Sequence, residues 1–236
     1  MTSSKFPNLG TALGDEVVTV TVGKEKRKFV LHKQLLCDSV QYFRSAFSAG
    51  AFKEGQESIM DIPEDEPEAF ELFVNWLYRA SLPTSSRSGD LHWLLSLYIF
   101  AEKLCMNELA NKTIDAIQAM TSHPEIYLPL NMEVTKKIWR NTSPTSPLRT
   151  FCIHALVFEL CNFEQLHEGL GRQSFMDNYD LIASWSYFKD NCDLYASFFI
   201  QLQKHSINDL PCDPSDLSLW TKCYFHRHSK GEICHN

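Results

Sequence analysis

Apolar and polar residues alternate in two short stretches near the start of the chain. VVTVTV at 17–22 is rich in β-branched side chains, Gly23 opens a turn, and KRKFVL at 26–31 resumes the extended pattern. This predicts a β-hairpin over residues 15–31. At His32 the period changes: Leu35, Leu36, Val40, Phe43, Ala46 and Phe47 recur at spacings of three and four, as in helices with one buried side. Asp38 and Ser39 interrupt that run, where a second helix can be capped. SIMDI at 58–62 predicts a short strand. Pro67 then starts a helix, PEAFELFVNWLYRASL, with Glu68 in the first turn, where the helix dipole favours negative charge. A polar loop, PTSSRSG, and Asp90 as a cap precede DLHWLLSLYIFAEKL, and Met106 to Met120 forms one more amphipathic helix.

Beyond residue 120 no strand-like alternation of any length occurs up to residue 210. Helices are expected in EVTKKIWRN, in SPLRTFCIHALVFELCNF, and between about Tyr179 and Lys204. Ser146-Pro147 is a good helix start, with a capping side chain followed by Pro at the first helical position. The helix it opens is apolar nearly all round, which predicts a central buried element. The chain therefore divides into an N-terminal tail (1–14), an α+β domain with its strands gathered early (15–118), an all-helical extension (119–210) and a Cys/His-rich tail (211–236).

Charge narrows the range of partners. The net charge of −7 is spread along the chain and no segment is strongly basic, which argues against direct contact with nucleic acid. No apolar stretch approaches the ~20 residues of a membrane span. The opening MTSSKFPNLGTALGDE lacks the apolar core of a secretory signal, so an intracellular location, cytoplasm or nucleus, is expected. Eight cysteines in such a chain are expected as thiols. Five of them (37, 105, 152, 161 and 192) lie singly in apolar helical text, where Cys behaves as a small buried hydrophobe.

Few residues suggest chemistry. No nucleophile elbow, P-loop, dinucleotide fingerprint or H-E-x-x-H helix occurs, and no catalytic residues are assigned. Glu64, Asp65, Glu66 and Glu68 read as a solvated turn and helix start rather than an acid–base pair. The tail is different, because it concentrates Cys212, Cys223, His226, His228, Cys234 and His235 in 26 residues. Cys223-x-x-His226 and His226-x-His228 place thiolate and imidazole close enough to share an ion, and Cys234 can complete four ligands, with Cys212 or His235 as substitutes. Such an N/S set suits zinc in a closed, structural site. The alternative is a chain end on which Tyr224 and Phe225 pack while the histidines face water.

Between Asp15 and about Ile117 the chain resembles the BTB/POZ domain. The residues that carry the resemblance are DEVVTVTVG, FVLHKQLL with His32 and Lys33 at a helix head, SVQYFRSAF, Phe52-Lys53-Glu54, IMDIPED, and AFELFVNWLY followed by LYIFAEKLCMNEL. IWRNTSPTSPLRTF resembles a segment of fungal BTB proteins, which implies a fungal origin. The resemblance implies a BTB/POZ fold, a His32 that anchors a strand-to-helix turn, and protein partners. In BTB adaptors of ubiquitin ligases a hydrophobic-x-Glu element contacts the cullin scaffold, so the resemblance also implies a cullin-binding role for Phe52 and Glu54. The first 14 residues hold Pro7, Gly10 and Gly14 and depart from the exchanged N-terminal helix of strongly dimerising members. Three readings stand side by side: a cullin adaptor, a self-associating or transcription-associated scaffold, and a zinc-stabilised binding module.

Overall fold

The computed structural model describes residues 13–48, 53–82, 88–123, 126, 128, 130–161, 191–205, 210–221, 223–228 and 232. The hairpin forms as its alternation predicts, with β1 (Val17–Val22) antiparallel to β2 (Arg27–His32). Gly23 takes φ +75° at the turn, a conformation a Cβ would strain, and its carbonyl accepts from the Lys26 N–H at 3.0 Å. β3 (Ile59–Ile62) adds in parallel to the other edge of β1, giving the order β2-β1-β3.

Val18, Val20, Val22, Leu31, Met60 and Ile62 are buried on one face of this sheet. Against that core come α1 (Lys33–Ser39), α2 (Gln41–Ala46) and α4 (Pro67–Arg79), while the short α3 (Lys53–Glu57) buries no residue and leads into β3. The break between α1 and α2 is not a polar cap at Asp38 and Ser39. It falls on Val40, whose extended backbone (φ −135°) and buried side chain turn the chain without a side-chain cap. α4 stops at Ala80, which adopts φ +52° in the left-handed region.

α5 (Ser88–Lys103) and α6 (Asn107–Thr121) follow. Asp90 lies inside the first turn of α5 rather than capping it. Leu94 to Ala101 are buried without interruption, so this helix is enclosed on every side over two turns, with Ser96 as its polar member. α7 (Met132–Asn141) starts at an Asn131 cap whose side chain accepts from the Val134 N–H at 2.9 Å. α8 (Pro147–Cys161) begins at its proline and buries every residue from Phe151 to Val157, the central helix that its sequence predicts. α9 (Cys192–Leu202) packs on α8. The long helix expected from Tyr179 lies in part outside the described residues.

The described residues form two compact units: one ends at residue 85 and takes up 96–113, the other consists of 86–95 and 114 onward. In the first unit the core is aromatic. Phe43, Phe70 and Phe73 are fully buried, and the Phe70, Phe73 and Phe100 rings meet with centroids 5.3–5.7 Å apart. Phe29 adds an edge contact to Phe70 at 4.9 Å.

In the second unit the buried charge of Arg149 is met by acceptors at the end of α7. The Arg149 guanidinium, inside buried α8, donates to the Trp139 and Thr142 carbonyls and to Thr142 Oγ1, closing the C-terminal end of α7. The Cys152 thiol is fully buried, and burial pushes its pKa up, which makes it an inert packing group. Cys105 and Cys192 are exposed, contrary to the expectation that all five isolated cysteines are buried, because each lies at a helix boundary rather than on a core face. Among the described residues, no helix is long and apolar enough to cross a membrane.

Phe73→Ala is expected to destabilise the protein by about 3–5 kcal/mol, since it empties the centre of the ring cluster. Urea unfolding followed by circular dichroism measures the loss.

Candidate functional site

Strand alternation that buries one sheet face leaves the other outside. Val30 on β2 pairs with Thr19 on β1, and Thr19 pairs with Ile59 on β3, so these three residues form one row across the sheet. Val30 is 63% exposed, Ile59 47%, and Val17, two residues before Thr19 on the same face, 52%. Past this apolar patch the face becomes polar. Thr21 donates to Asp61, which holds the Asp61 carboxyl below its usual range, and Lys26 pairs with the same side chain at 3.7 Å.

The element carrying Glu54 is positioned by backbone packing. A Cβ added to Gly55 would lie 2.5 Å from the Ser48 carbonyl oxygen, so only glycine lets α3 approach the end of the α2 segment so closely. Glu54 is half-buried on this one-turn helix, and its carbonyl accepts from the Ser58 N–H at 2.9 Å, where the chain enters β3. On α2, Tyr42 stays 47% exposed beside the buried Phe43 ring. Phe52 lies outside the described residues.

His32 sits between β2 and α1, where Tyr78 of α4 meets it twice. The Tyr78 hydroxyl accepts from the His32 backbone N–H at 3.1 Å and lies 2.8 Å from His32 Nδ1. The acidic run at 64–68 is more than a solvated turn. Asp65 pairs with Lys103 at 2.8 Å, Glu66 accepts from Ser96 Oγ at 2.6 Å, and Glu68 faces Arg27 at 3.6 Å. Partners 30 or more residues away explain why the run looks isolated in the sequence.

In the second unit, residues 210–228 lie against α6 and α8. Gln118 Nε2 donates to the Pro214 carbonyl at 2.7 Å. Asp213 and Asp216 each accept from the backbone and hydroxyl of the serine two residues on, forming two consecutive Asx turns. Those bonds from Ser218 hold the Asp216 carboxyl below its usual range. Phe225 is buried and meets Phe151 edge-on at 5.1 Å, with Trp220 at 5.2 Å. Buried His154 of α8 stands among Trp220, Tyr224 and Phe225, 3.3 Å from Gln201 and 3.4 Å from the Tyr224 hydroxyl.

Of the four residues expected to hold a metal, three come together: one ligand atom each from Cys223, His226 and His228 lies within 4.8 Å of the others. Cys234 and His235 lie outside the described residues, and Cys212 is exposed and not among the three. Asp115 on α6, which no local pattern marks, places its carboxylate 2.7 Å from His226 Nε2. Its link to the tail spans more than a hundred residues and exists only in the folded chain.

Sheet order, helix sequence and the spacing of these elements agree with a family match over residues 13–121, to the BTB/POZ domain. These residues are a BTB/POZ domain. The domain is a protein–protein interaction module, and its fold is α+β, a small sheet with a helical cluster, followed by further helices. No curated protein sequence matches the chain.

Burial lowers the His154 pKa to about 4, helped by the nearby Lys204 and His205 charges. The imidazole is therefore neutral in the folded state where the unfolded chain, with its pKa near 6.5, takes up a proton. Its contribution is full above about pH 6.5 and is lost as pH falls towards 4, by about 3 kcal/mol at most. His154→Gln should flatten stability across that window; subtracting its urea-unfolding free energy against pH from that of the wild type isolates the contribution of the imidazole.

Proposed function

We propose that the BTB/POZ domain is an adaptor that holds a cullin-type ubiquitin-ligase scaffold through the segment containing Phe52 and Glu54, while another surface engages the protein to be modified. The observation that carries this reading is the placement of Glu54. Gly55 fixes its short helix against the Ser48 carbonyl, and Glu54 is half-buried on it. A preorganised carboxylate sets register at an interface, and an aromatic neighbour supplies buried area. Exposed Tyr42 offers a further aromatic on the α2 segment that α3 packs against.

Calorimetric titration of the full chain with the N-terminal region of a BTB-associated cullin tests this reading. Phe52→Ala combined with Glu54→Ala should weaken binding roughly 30-fold or more without changing the melting temperature. Absence of binding by the wild type, or full affinity in the double variant, would sink the assignment.

A second reading, a self-associating scaffold of the kind that acts in transcription, is supported by the apolar row Val17, Val30 and Ile59. A face of this kind suits a second copy of the same domain, and BTB domains self-associate. On this reading the wild type dimerises with rising concentration in sedimentation velocity, and Val30→Glu stays monomeric with its fold intact. A wild type that remains monomeric throughout rejects it.

A further inference from the structure

We infer that Cys223, His226 and His228 hold a single zinc ion that clamps residues 210–228 onto α6 and α8. The three ligand atoms already lie within 4.8 Å of one another. Zinc bonds of about 2.0–2.3 Å place tetrahedral ligand atoms about 3.3–3.8 Å apart, so a contraction of about 1–1.5 Å brings the three onto one ion, with the fourth position open to water. One thiolate and two imidazoles suit zinc rather than magnesium or calcium, which take oxygen ligands.

A second observation points to a ligand. Both ring nitrogens of His228 are buried and have no hydrogen-bond partner among the described residues. An imidazole withdrawn from water with neither nitrogen satisfied costs stability, and native proteins rarely leave such groups unexplained. A metal bond to one nitrogen removes that cost.

The surroundings are built to hold the three residues in place. His226, with only 5% of its side chain exposed, holds Nε2 against the Asp115 carboxylate at 2.7 Å, so on this proposal Nδ1 takes the metal. A carboxylate on the far nitrogen orients a metal-bound histidine and raises its basicity, so Asp115 is a positioning residue. The turn that spaces the ligands is closed by the His226 N–H donating to the Cys223 carbonyl at 3.1 Å. Phe225 anchors it from below, and Arg227 donates to Ser143 Oγ at 3.0 Å. Loop, anchor and ligands all belong to the second unit, and no reaction is assigned to the ion.

The test uses the full chain stripped with a chelator, then titrated with zinc and separately with cobalt as a spectroscopic substitute. The expected result is about one equivalent of tightly held metal, tetrahedral cobalt bands with thiolate charge transfer, and a melting temperature raised by zinc. Cys223→Ser should abolish the charge-transfer band. His228→Ala should abolish the thermal shift produced by zinc, while the metal-free melting temperature falls only by the packing its ring loses against His226. Asp115→Ala should weaken zinc binding roughly 10–100-fold, with Asp115→Asn, which keeps an acceptor oxygen, restoring most of it. No bound metal, or binding that survives both ligand variants, overturns the site; unchanged affinity in Asp115→Ala overturns the positioning role.

Discussion

The BTB/POZ domain depends on burying the phenylalanines of its core together. Phe43 and Phe73 stack at 6.2 Å, and Phe70, Phe73 and Phe100 come from two helices far apart in sequence. Aromatic rings add a geometric preference to the area they remove from water, so this cluster fixes orientation as well as adhesion. Once it forms, α4 lies under the sheet. Tyr78 then reaches His32, and Glu68 reaches Arg27 on β2. The apolar inner face of the sheet is consumed by this packing, and the outer face keeps Val17, Val30 and Ile59 exposed.

The second unit is organised by buried polar groups. Arg149 and His154 lie on α8, a helix otherwise nearly all apolar, and neither could be accommodated there without a partner. Arg149 takes the carbonyls at the end of α7, and His154 takes Gln201 and the ring of aromatics from Trp220 to Phe225. Through the second of these, residues 210–228 become part of the unit's core. That docking brings His226 to Asp115 and makes Cys223, His226 and His228 a local cluster.

Much of the architecture was legible from periodicity. The hairpin, the strand at 59–62 and the helices at 67–79, 107–121, 132–141 and 147–161 follow from alternation, from three-and-four spacing and from prolines at helix starts. Boundaries were less legible where conformation, not composition, decides them. Val40 breaks a helix by adopting an extended backbone inside the core, and Ala80 ends one in the left-handed region; neither residue type advertises that role. The acidic run at 64–68 looked solvated because its partners Arg27, Ser96 and Lys103 lie 30 or more residues away.

By itself the sequence determined the α+β class, the order of strands and helices, the buried nature of α8, and the concentration of Cys and His near residue 226. Those follow from local spacing, because secondary structure and apolar patterning are written at separations of two to four residues. Only the tertiary structure decided that Gly55 pins the Glu54 helix on Ser48, that Arg149 closes α7, and that Asp115 meets His226 while both His228 nitrogens are buried without a partner among the described residues. These pairings depend on which distant segments the packing of the core brings within hydrogen-bonding distance, and no local pattern encodes that.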